Sequence, residues 1–225
     1  MAERADAGQA ELIRRIASVV GHELRNPLAV LNNSSYFIKA KLTSGGSLDP
    51  KVEKHLGIMS SEIARADRMI ADMLTFSRPM ELTKGRLPLA KLVESALEGV
   101  AAPAGVKVSV KAPKTPVEVQ ADEKRLADAL RRLLDNAVEA VGGEGAVTVA
   151  VSREKTEAVV EVRDTGPGVA AEVAPHLGEP FRTGKPRGLG LGLAIARKIA
   201  EAHGGRLEGG SVKEGGAAFR LRLPA

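Results

Sequence analysis

The sequence contains no cysteine and no tryptophan, and aromatic residues make up only 2% of its 225 residues. The absence of cysteine excludes disulfides, thiolate metal sites and cysteine nucleophiles. The scarcity of aromatic rings removes the stacking surface on which single-stranded nucleic acids bind. The net charge of +5 is moderate and no dense basic block is present, so we expect no nucleic-acid partner. Any hydrophobic core must be built from leucine, valine, isoleucine and alanine.

Long apolar runs are also missing. No run approaches the roughly 20 residues that a helix needs to span a bilayer. Residues 1–15 are charged and lack the apolar central stretch of a signal peptide. We therefore expect no membrane segment in this chain and a cytoplasmic location, either alone or as the interior part of a longer membrane protein.

The first third of the chain, from Gln9 to Pro79, follows the periodicity of amphipathic helices. Apolar residues recur at spacings of three and four in two runs, which the glycine- and serine-rich residues 43–47 separate. The runs comprise Ile13, Ile16, Val20, Leu24, Leu28 and Leu31, then Val52, Leu56, Met59, Ile63, Ile70 and Leu74. This pattern predicts a long antiparallel helical hairpin. Two helices cannot bury both stripes on each other, so we expect a homodimeric four-helix bundle, with packing on the rest of the same chain as the alternative.

Short strands alternate with helices from about Leu87 to the end of the chain. Strands are predicted at residues 106–110, 117–119, 146–152, 158–163 and 218–223, and helices at residues 89–100, 123–141 and 191–203. A sheet covered by helices on one face is the expected result, so the predicted fold class is α+β. The predicted domains are a helical hairpin at residues 1–80 and an α/β domain at residues 81–225, with a linker at about residues 78–87.

Three segments of the second region carry residue types that suit nucleotide binding. Asp164 follows a predicted strand in a turn with Gly166 and Gly168, where a fixed carboxylate can accept a hydrogen bond from an amine such as that of adenine. The glycine-rich residues 188–192 open the last predicted helix, so their N–H groups can face phosphate oxygens. Asn136 stands inside a predicted helix, where asparagine either caps locally or ligates a metal. Each segment alone is more often an ordinary turn, helix start or surface residue.

Five motifs stand in order along the chain, namely HELRNP, LLDNA, DTGPG, EPFRTGK and GLGLGLA. In this order they resemble the sensor histidine kinases of two-component signalling, over about residues 9–225. The segment that includes EPFRTGK looks most like the compact-lid branch to which nitrogen-regulation kinases belong. The resemblance implies a dimerisation and histidine-phosphotransfer hairpin followed by an ATP-binding α/β sandwich. Gyrase, the heat-shock-90 chaperones and the MutL repair proteins share that sandwich.

The resemblance also implies roles for individual residues. His22 would accept the phosphoryl group, Asn136 would bind the Mg²⁺ that accompanies ATP, and Asp164 would accept the adenine amine. Gly166 and Gly168 would shape the adenine pocket. The lid would contain Phe181, Arg182, Thr183 and Lys185, and the phosphate loop would contain Gly188, Leu189, Gly190, Leu191 and Gly192.

Two positions depart from the pattern of the family. Arg132 stands where many relatives have an asparagine, four residues before Asn136, and it either reaches a nucleotide phosphate or faces solvent. Glu139 stands where many relatives carry lysine, although the compact-lid branch often has glutamate there. Neither departure removes a group that the chemistry requires.

Helix geometry predicts that His22 lies outside the apolar stripe. At about 100° per residue, His22 falls at about 180° and Asn26 at about 220° from Ile13. We therefore expect both side chains on an exposed face, as a surface histidine and a phosphoacceptor would equally require. A neutral imidazole is a competent nucleophile, and Glu23 can orient the ring or take up a proton during attack. By resemblance, Asn26 would position a water that hydrolyses a phosphorylated partner.

The predicted activity is autophosphorylation of His22 with MgATP, followed by phosphoryl transfer to an aspartate of a response-regulator receiver domain. Regulator-phosphatase activity is predicted beside it. Two alternative functions have the same fold but involve no phosphoryl transfer. One is an ATP-driven dimeric clamp of the gyrase type, which would not need His22. The other is a catalytically silent scaffold that recruits a regulator through the hairpin.

Overall fold

The computed structural model describes residues 24–43, 49–185 and 188–225, and the chain divides into two compact units, Met1–Pro79 and Met80–Ala225. The first unit contains helix α1, described over residues 24–43, and helix α2, Pro50–Ser77. The predicted helical run before residue 24 lies outside the described residues. Helix α2 is capped at its start, because Asp49 Oδ1 accepts the backbone N–H of Lys51 at 2.7 Å and proline follows the cap.

The two helices of the first unit lie side by side. Arg25 Nε on α1 donates to Asp67 Oδ1 on α2 at 3.1 Å, which joins the start of the described part of α1 to the later half of α2. Leu28 of α1 and Ile63 of α2 line one shallow cavity beside this ion pair. The antiparallel hairpin is therefore confirmed. Of the helices in the described ranges, none is both long and apolar enough to cross a membrane.

The second unit is a five-stranded sheet with helices packed on it and a separate two-stranded ribbon. The strands are β1 Gly85–Pro88, β2 Gly105–Lys111, β3 Glu118–Ala121, β4 Glu144–Glu154, β5 Glu157–Asp164, β6 Arg206–Ser211 and β7 Ala217–Pro224. The helices are α3 Leu89–Leu97, α4 Glu123–Val141 and α5 Gly192–Ala202, with a 3₁₀ turn at Ala174–His176. The large sheet has the order β2-β4-β5-β7-β6, in which only the β2–β4 pair is parallel, and β1 pairs with β3 in antiparallel fashion.

The core of the second unit lies between one face of the sheet and the helices. Residues of one strand alternate between the two faces, so every second residue of β5 points to the same side. On β5 this buried row comprises Ala158, Val160, Val162 and, at its end, Asp164. Helices α4 and α5 cover the sheet with leucine and isoleucine side chains such as Leu130 and Ile195, which are fully buried. The buried row of β5 therefore ends in an acidic side chain, that of Asp164.

The α+β fold class is confirmed, and α4 has the predicted bounds. The predicted linker at residues 78–87 is wrong at its end, because residues 85–87 belong to β1 and pair with β3. Strand β6 was not predicted, since its sequence RLEGGS has two glycines and no apolar alternation. Antiparallel pairing with β7 makes this segment a strand, although its own residues have a weak preference for strand structure.

Candidate functional site

Asp164, the last residue of β5, is held by the turn that follows it. Its side chain is buried, at 3% exposure. Its Oδ1 accepts the backbone N–H groups of Gly166 at 2.9 Å and of Ala217 at 3.2 Å. No hydrogen bond to Oδ2 occurs among residues 24–43, 49–185 and 188–225. One carboxylate oxygen is therefore fixed, and the other is available to accept a hydrogen bond from a ligand.

Two positions of the turn after Asp164 admit only glycine. A Cβ on Gly166 would lie 2.7 Å from the carbonyl oxygen of Ala140 on α4. Gly168 has a φ of +83°, and a Cβ there would lie 2.8 Å from Ser211 Oγ. Both contacts are closer than real Cβ atoms permit, and a positive φ also disfavours side chains. Gly166 thus lets the Asp164 turn lie against the C-terminal end of α4, and Gly168 lets it lie against Ser211 of β6.

Asn136 lies on α4, one turn before Ala140, and faces the start of α5. A Cβ placed on Gly192 would lie 3.7 Å from Asn136 Nδ2, so the two residues are neighbours. Asn136 Oδ1 accepts a hydrogen bond from Lys185 Nζ at 3.0 Å, which shows that the side chain does not cap its own helix. Residues 136–140 of α4 therefore lie between the Asp164 turn and the glycine-rich loop.

The glycine-rich loop leads directly into α5. Leu191, the N-cap residue, is buried and provides no side-chain acceptor for the first N–H groups of the helix. An uncapped helix start presents N–H groups and a positive dipole end, the arrangement that binds anions. Gly190 has a φ of +71°, and a Cβ there would lie 2.7 Å from the backbone nitrogen of Arg182. Only glycine therefore lets the loop contact the preceding segment so closely.

The segment predicted as the lid is folded against this loop. The Phe181 N–H donates to the Gly190 carbonyl at 3.2 Å, and Phe181 itself has a φ of +64° with an exposed ring. The Lys185 N–H donates to Thr183 Oγ1 at 3.0 Å, and the Gly188 N–H donates to the Lys185 carbonyl at 3.2 Å. A positive φ in phenylalanine is unusual and strained. This segment is therefore held by a backbone hydrogen bond to the glycine loop and by the Thr183 hydroxyl.

Arg132 and Glu139, the two departures from the family pattern, lie on α4 on either side of Asn136. Arg132 Nε donates to Asp128 Oδ1 at 3.2 Å, and its side chain is only 17% exposed. Arg132 is therefore half-buried and paired with a carboxylate of its own helix. Glu139 Oε2 accepts a second hydrogen bond from Lys185 Nζ.

A buried histidine joins the two helices of the site. His203, at the end of α5, is 4% exposed, and its Nε2 accepts the backbone N–H of Asp122 at 3.0 Å. Its Nδ1 lies 2.8 Å from the Ile199 carbonyl, which fixes the proton on Nδ1. Burial lowers the pKa of His203, helped by nearby Lys84 and opposed by the Ile199 carbonyl and Asp122. Because Asp122 caps α4, a neutral His203 holds α4 and α5 together, a role that the sequence alone did not reveal.

The hairpin residues of the proposed phosphotransfer site are only partly described. Asn26 is exposed on α1, as the helix geometry predicts. His22 and Glu23 lie outside the described residues. The structure therefore describes the predicted site residues of the second unit and, of those in the first unit, Asn26 alone.

Two family models match the chain. Residues 12–81 match the His Kinase A (phospho-acceptor) domain, and residues 121–225 match the Histidine kinase-, DNA gyrase B-, and HSP90-like ATPase. The chain belongs to the sensor histidine kinases. It holds the catalytic core of such a kinase, which confirms the family inferred from the five ordered motifs.

Curated relatives and solved structures agree with this assignment. The kinase core is 31% identical over 212 residues to the sensor histidine kinase ZraS of Escherichia coli O157:H7, covering 93% of this chain and 45% of ZraS. It is 34% identical over 219 residues to the sensor protein FixL of Bradyrhizobium diazoefficiens, covering 93% of this chain and 43% of FixL. The crystal structure of full-length ShkA shares the fold, with a TM-score of 0.73 and 24% identity over 93% of this chain and 45% of that one. The core thus spans less than half the length of these relatives.

Proposed function

We propose that this kinase core transfers the γ-phosphoryl group of ATP to His22 and from there to an aspartate of a response-regulator receiver domain. The observation that carries the proposal is the position of one stretch of α4, residues 136–140, between the Asp164 turn and the glycine loop. A carboxylate with one available oxygen stands on one side of it, and an uncapped helix start stands on the other. These are the parts that an adenine nucleotide requires at its two ends.

The base and the phosphates of ATP would be recognised by different elements. Asp164 Oδ2 would accept the exocyclic amine of adenine, while Oδ1 stays bonded to the turn. The phosphates would lie at the N-terminus of α5, where backbone N–H groups and the helix dipole favour negative charge. Phe181, Arg182 and Thr183 would cover the nucleotide, and Arg132 would stay in its ion pair on α4.

The chemistry around Asn136 fits a divalent cation. Its Oδ1 already accepts a hydrogen bond from an ammonium group, so this oxygen faces positive charge in the folded chain. Mg²⁺ takes oxygen ligands and is usually held by few protein groups together with substrate phosphates. We therefore assign Asn136 as the residue that holds Mg²⁺, whose charge would balance that of the triphosphate during transfer.

The transfer itself needs a nucleophile and a proton acceptor from the hairpin. A ring nitrogen of neutral His22 attacks the γ-phosphorus, the bond to the β–γ bridging oxygen breaks, and ADP leaves. Glu23 accepts the proton that the charged phosphoimidazole releases. In the second step the phosphoryl group moves from that nitrogen to a carboxylate oxygen of the regulator. The match of residues 12–81 to a phospho-acceptor domain supports this assignment.

We further propose that Asn26 gives the core phosphatase activity towards the phosphorylated regulator. Its amide is exposed on α1. In the sequence it stands four residues after His22, the spacing at which two residues of a helix share a face. An exposed amide can hold a water for attack on the phosphorylated aspartate.

The first unit would work as a homodimer. Of its two apolar stripes, Leu56, Ile70 and Leu74 are buried, whereas Leu24, Leu31 and Met59 stay more than 40% exposed. Soluble proteins rarely leave large apolar patches exposed without a partner. A second copy of the hairpin would cover it and complete a four-helix bundle, as the family match also favours.

Incubation with γ-labelled ATP and Mg²⁺ tests the proposed kinase activity. We expect label in the wild-type chain and its transfer on addition of a receiver domain, with Asp164→Asn greatly reduced in the first step. Glu161→Gln, an ion-pair residue on the same strand, is the matched control and should label normally.

A receiver domain phosphorylated with acetyl phosphate tests the proposed phosphatase activity. Asn26→Ala should slow its dephosphorylation without loss of autophosphorylation.

A further inference from the structure

The ammonium group of Lys185 is bound by two oxygens of α4. Lys185 Nζ donates to Asn136 Oδ1 at 3.0 Å and also to Glu139 Oε2. Asn136 and Glu139 are three residues apart on one helix, so their side chains stand on the same face. Both oxygens therefore converge on a single positive charge.

This convergence marks a position for a cation. An amide oxygen and a carboxylate oxygen are both ligands that Mg²⁺ accepts, and one or two carboxylates often contribute to such sites. The ammonium of lysine is a compact point charge at the end of a flexible stem, so it can occupy a metal position and leave it again. Glu139 is one of the two positions that depart from the family pattern, and its carboxylate is directed at the same point as Asn136 Oδ1.

The backbone around Lys185 allows the side chain to leave alone. Thr183 Oγ1 accepts the Lys185 N–H, and the Lys185 carbonyl accepts the Gly188 N–H, so a short turn holds the main chain in place. Two cations cannot share one pair of oxygens, because their charges repel each other at this distance. A metal bound to Asn136 would displace the ammonium and leave it beside the nucleotide phosphates.

We propose that Asn136 and Glu139 form an exchangeable cation site. It holds the Lys185 ammonium before nucleotide binds, and it holds Mg²⁺ when MgATP binds, with Glu139 as a second oxygen for the metal. The inference rests on the proposed binding of MgATP and adds to it a role for Glu139. It also gives Lys185 two positions, one on α4 and one at the phosphates.

The test compares ATP binding with and without metal. Calorimetry of the full chain with ATP, in Mg²⁺ and in EDTA, gives two dissociation constants for each variant. In Glu139→Gln, the gain in ATP affinity that Mg²⁺ produces should be about tenfold smaller than in the wild type, an effect typical of removing a group that supports a metal. Its affinity in EDTA should not fall. Lys185→Met should show the opposite pattern, with half-saturation at a lower Mg²⁺ concentration and weaker binding in EDTA.

The matched control is Glu123→Gln, at the other end of α4. Glu123 is also an exposed glutamate that pairs with a lysine, Lys91, at 3.2 Å, so its loss removes the same charge far from the site. It should behave like the wild type in both conditions. Circular dichroism of each variant confirms that α4 is intact.

Three outcomes separate this inference from the function on which it rests. If wild type binds ATP and Glu139→Gln keeps the full Mg²⁺ effect, the pair is an ordinary surface ion pair and the inference is wrong, while the kinase proposal stands. Equal weakening of Glu139→Gln in Mg²⁺ and in EDTA contradicts it as well. If wild type binds no ATP in either condition, both proposals fall together.

Discussion

Asp164 combines two tasks in one carboxylate. Oδ1 accepts two backbone N–H groups and fixes the turn, and Oδ2 makes no hydrogen bond to any residue that the structure describes. A buried acceptor of this kind discriminates by hydrogen-bond chemistry, because a ligand without a matching donor leaves it unpaired. Adenine offers an amine to such an oxygen, whereas guanine offers a carbonyl at the corresponding ring position.

This arrangement predicts a strong preference for ATP over GTP that depends on Asp164. Asp164→Asn keeps an oxygen for the turn but presents an amide donor to the base. We expect it to weaken ATP binding by about 10- to 100-fold, the effect of losing a hydrogen bond to a charged group. The loss for GTP should be smaller. Calorimetric titration with both nucleotides checks this, and an unchanged ratio of the two affinities would contradict the assignment.

The sequence predicted the elements that carry the candidate site residues better than the contacts that these residues make. Asp164 and Asn136 could be located because a strand end and an amphipathic helix are strong local patterns. The pairing of Lys185 with Asn136 and Glu139 could not, since it joins residues more than forty positions apart. The contact of His203 with the Asp122 N–H, 81 positions away, is likewise set by packing. The Arg132–Asp128 pair, in contrast, has the four-residue spacing that a helix brings together.

At the scale of elements, α4 and α5 must keep a fixed relation, because one carries Asn136 and the other begins at the glycine loop. His203 connects them through the Asp122 backbone, and Asp122 in turn caps α4 and accepts the Thr83 N–H at 2.9 Å. Burial raises the pKa of Asp122, but hydrogen bonds from Thr83 and Arg125 outweigh it and leave the pKa lowered. This link between α4 and α5 requires the imidazole of His203 to be neutral.

Because this link requires neutral His203, we expect the protein to lose stability on mild acidification. The pKa of His203 is lowered in the fold from its ordinary value of 6.5, so the unfolded chain takes up the proton first. The stabilisation that neutral His203 provides is therefore complete above about pH 6.5. It is lost as the pH falls from there towards the lower pKa of His203 in the folded state. Asp122 titrates below this window and does not contribute within it.

Urea unfolding at pH 7.5, 6.5 and 5.5 measures this effect. His203→Gln can still accept the Asp122 N–H and donate to the Ile199 carbonyl, but it does not titrate. Its free energy of unfolding should fall less than that of the wild type between pH 7.5 and 5.5. Parallel curves for the two proteins would show that His203 is not the titrating group.

At the scale of the whole molecule, the exposed apolar residues of the hairpin predict a dimer. Leu31 belongs to the predicted stripe and is 51% exposed, so Leu31→Glu should place a charge in the bundle and separate the subunits. Sedimentation should give the wild type twice the chain mass of 23.6 kDa and the variant a single chain mass. Val110→Glu, at a residue 47% exposed on β2, should stay dimeric. A monomeric wild type would be inconsistent with a four-helix bundle.

The role of His22 as the phosphoacceptor is tested most directly by the chemistry of the bound phosphate. The wild type and His22→Gln are incubated with γ-labelled ATP and Mg²⁺, and the protein-bound label is then exposed to acid and to alkali. We expect label in the wild type that acid removes and alkali does not, and no label in His22→Gln. ATP binding without label in either protein would contradict it and favour the clamp or the silent scaffold.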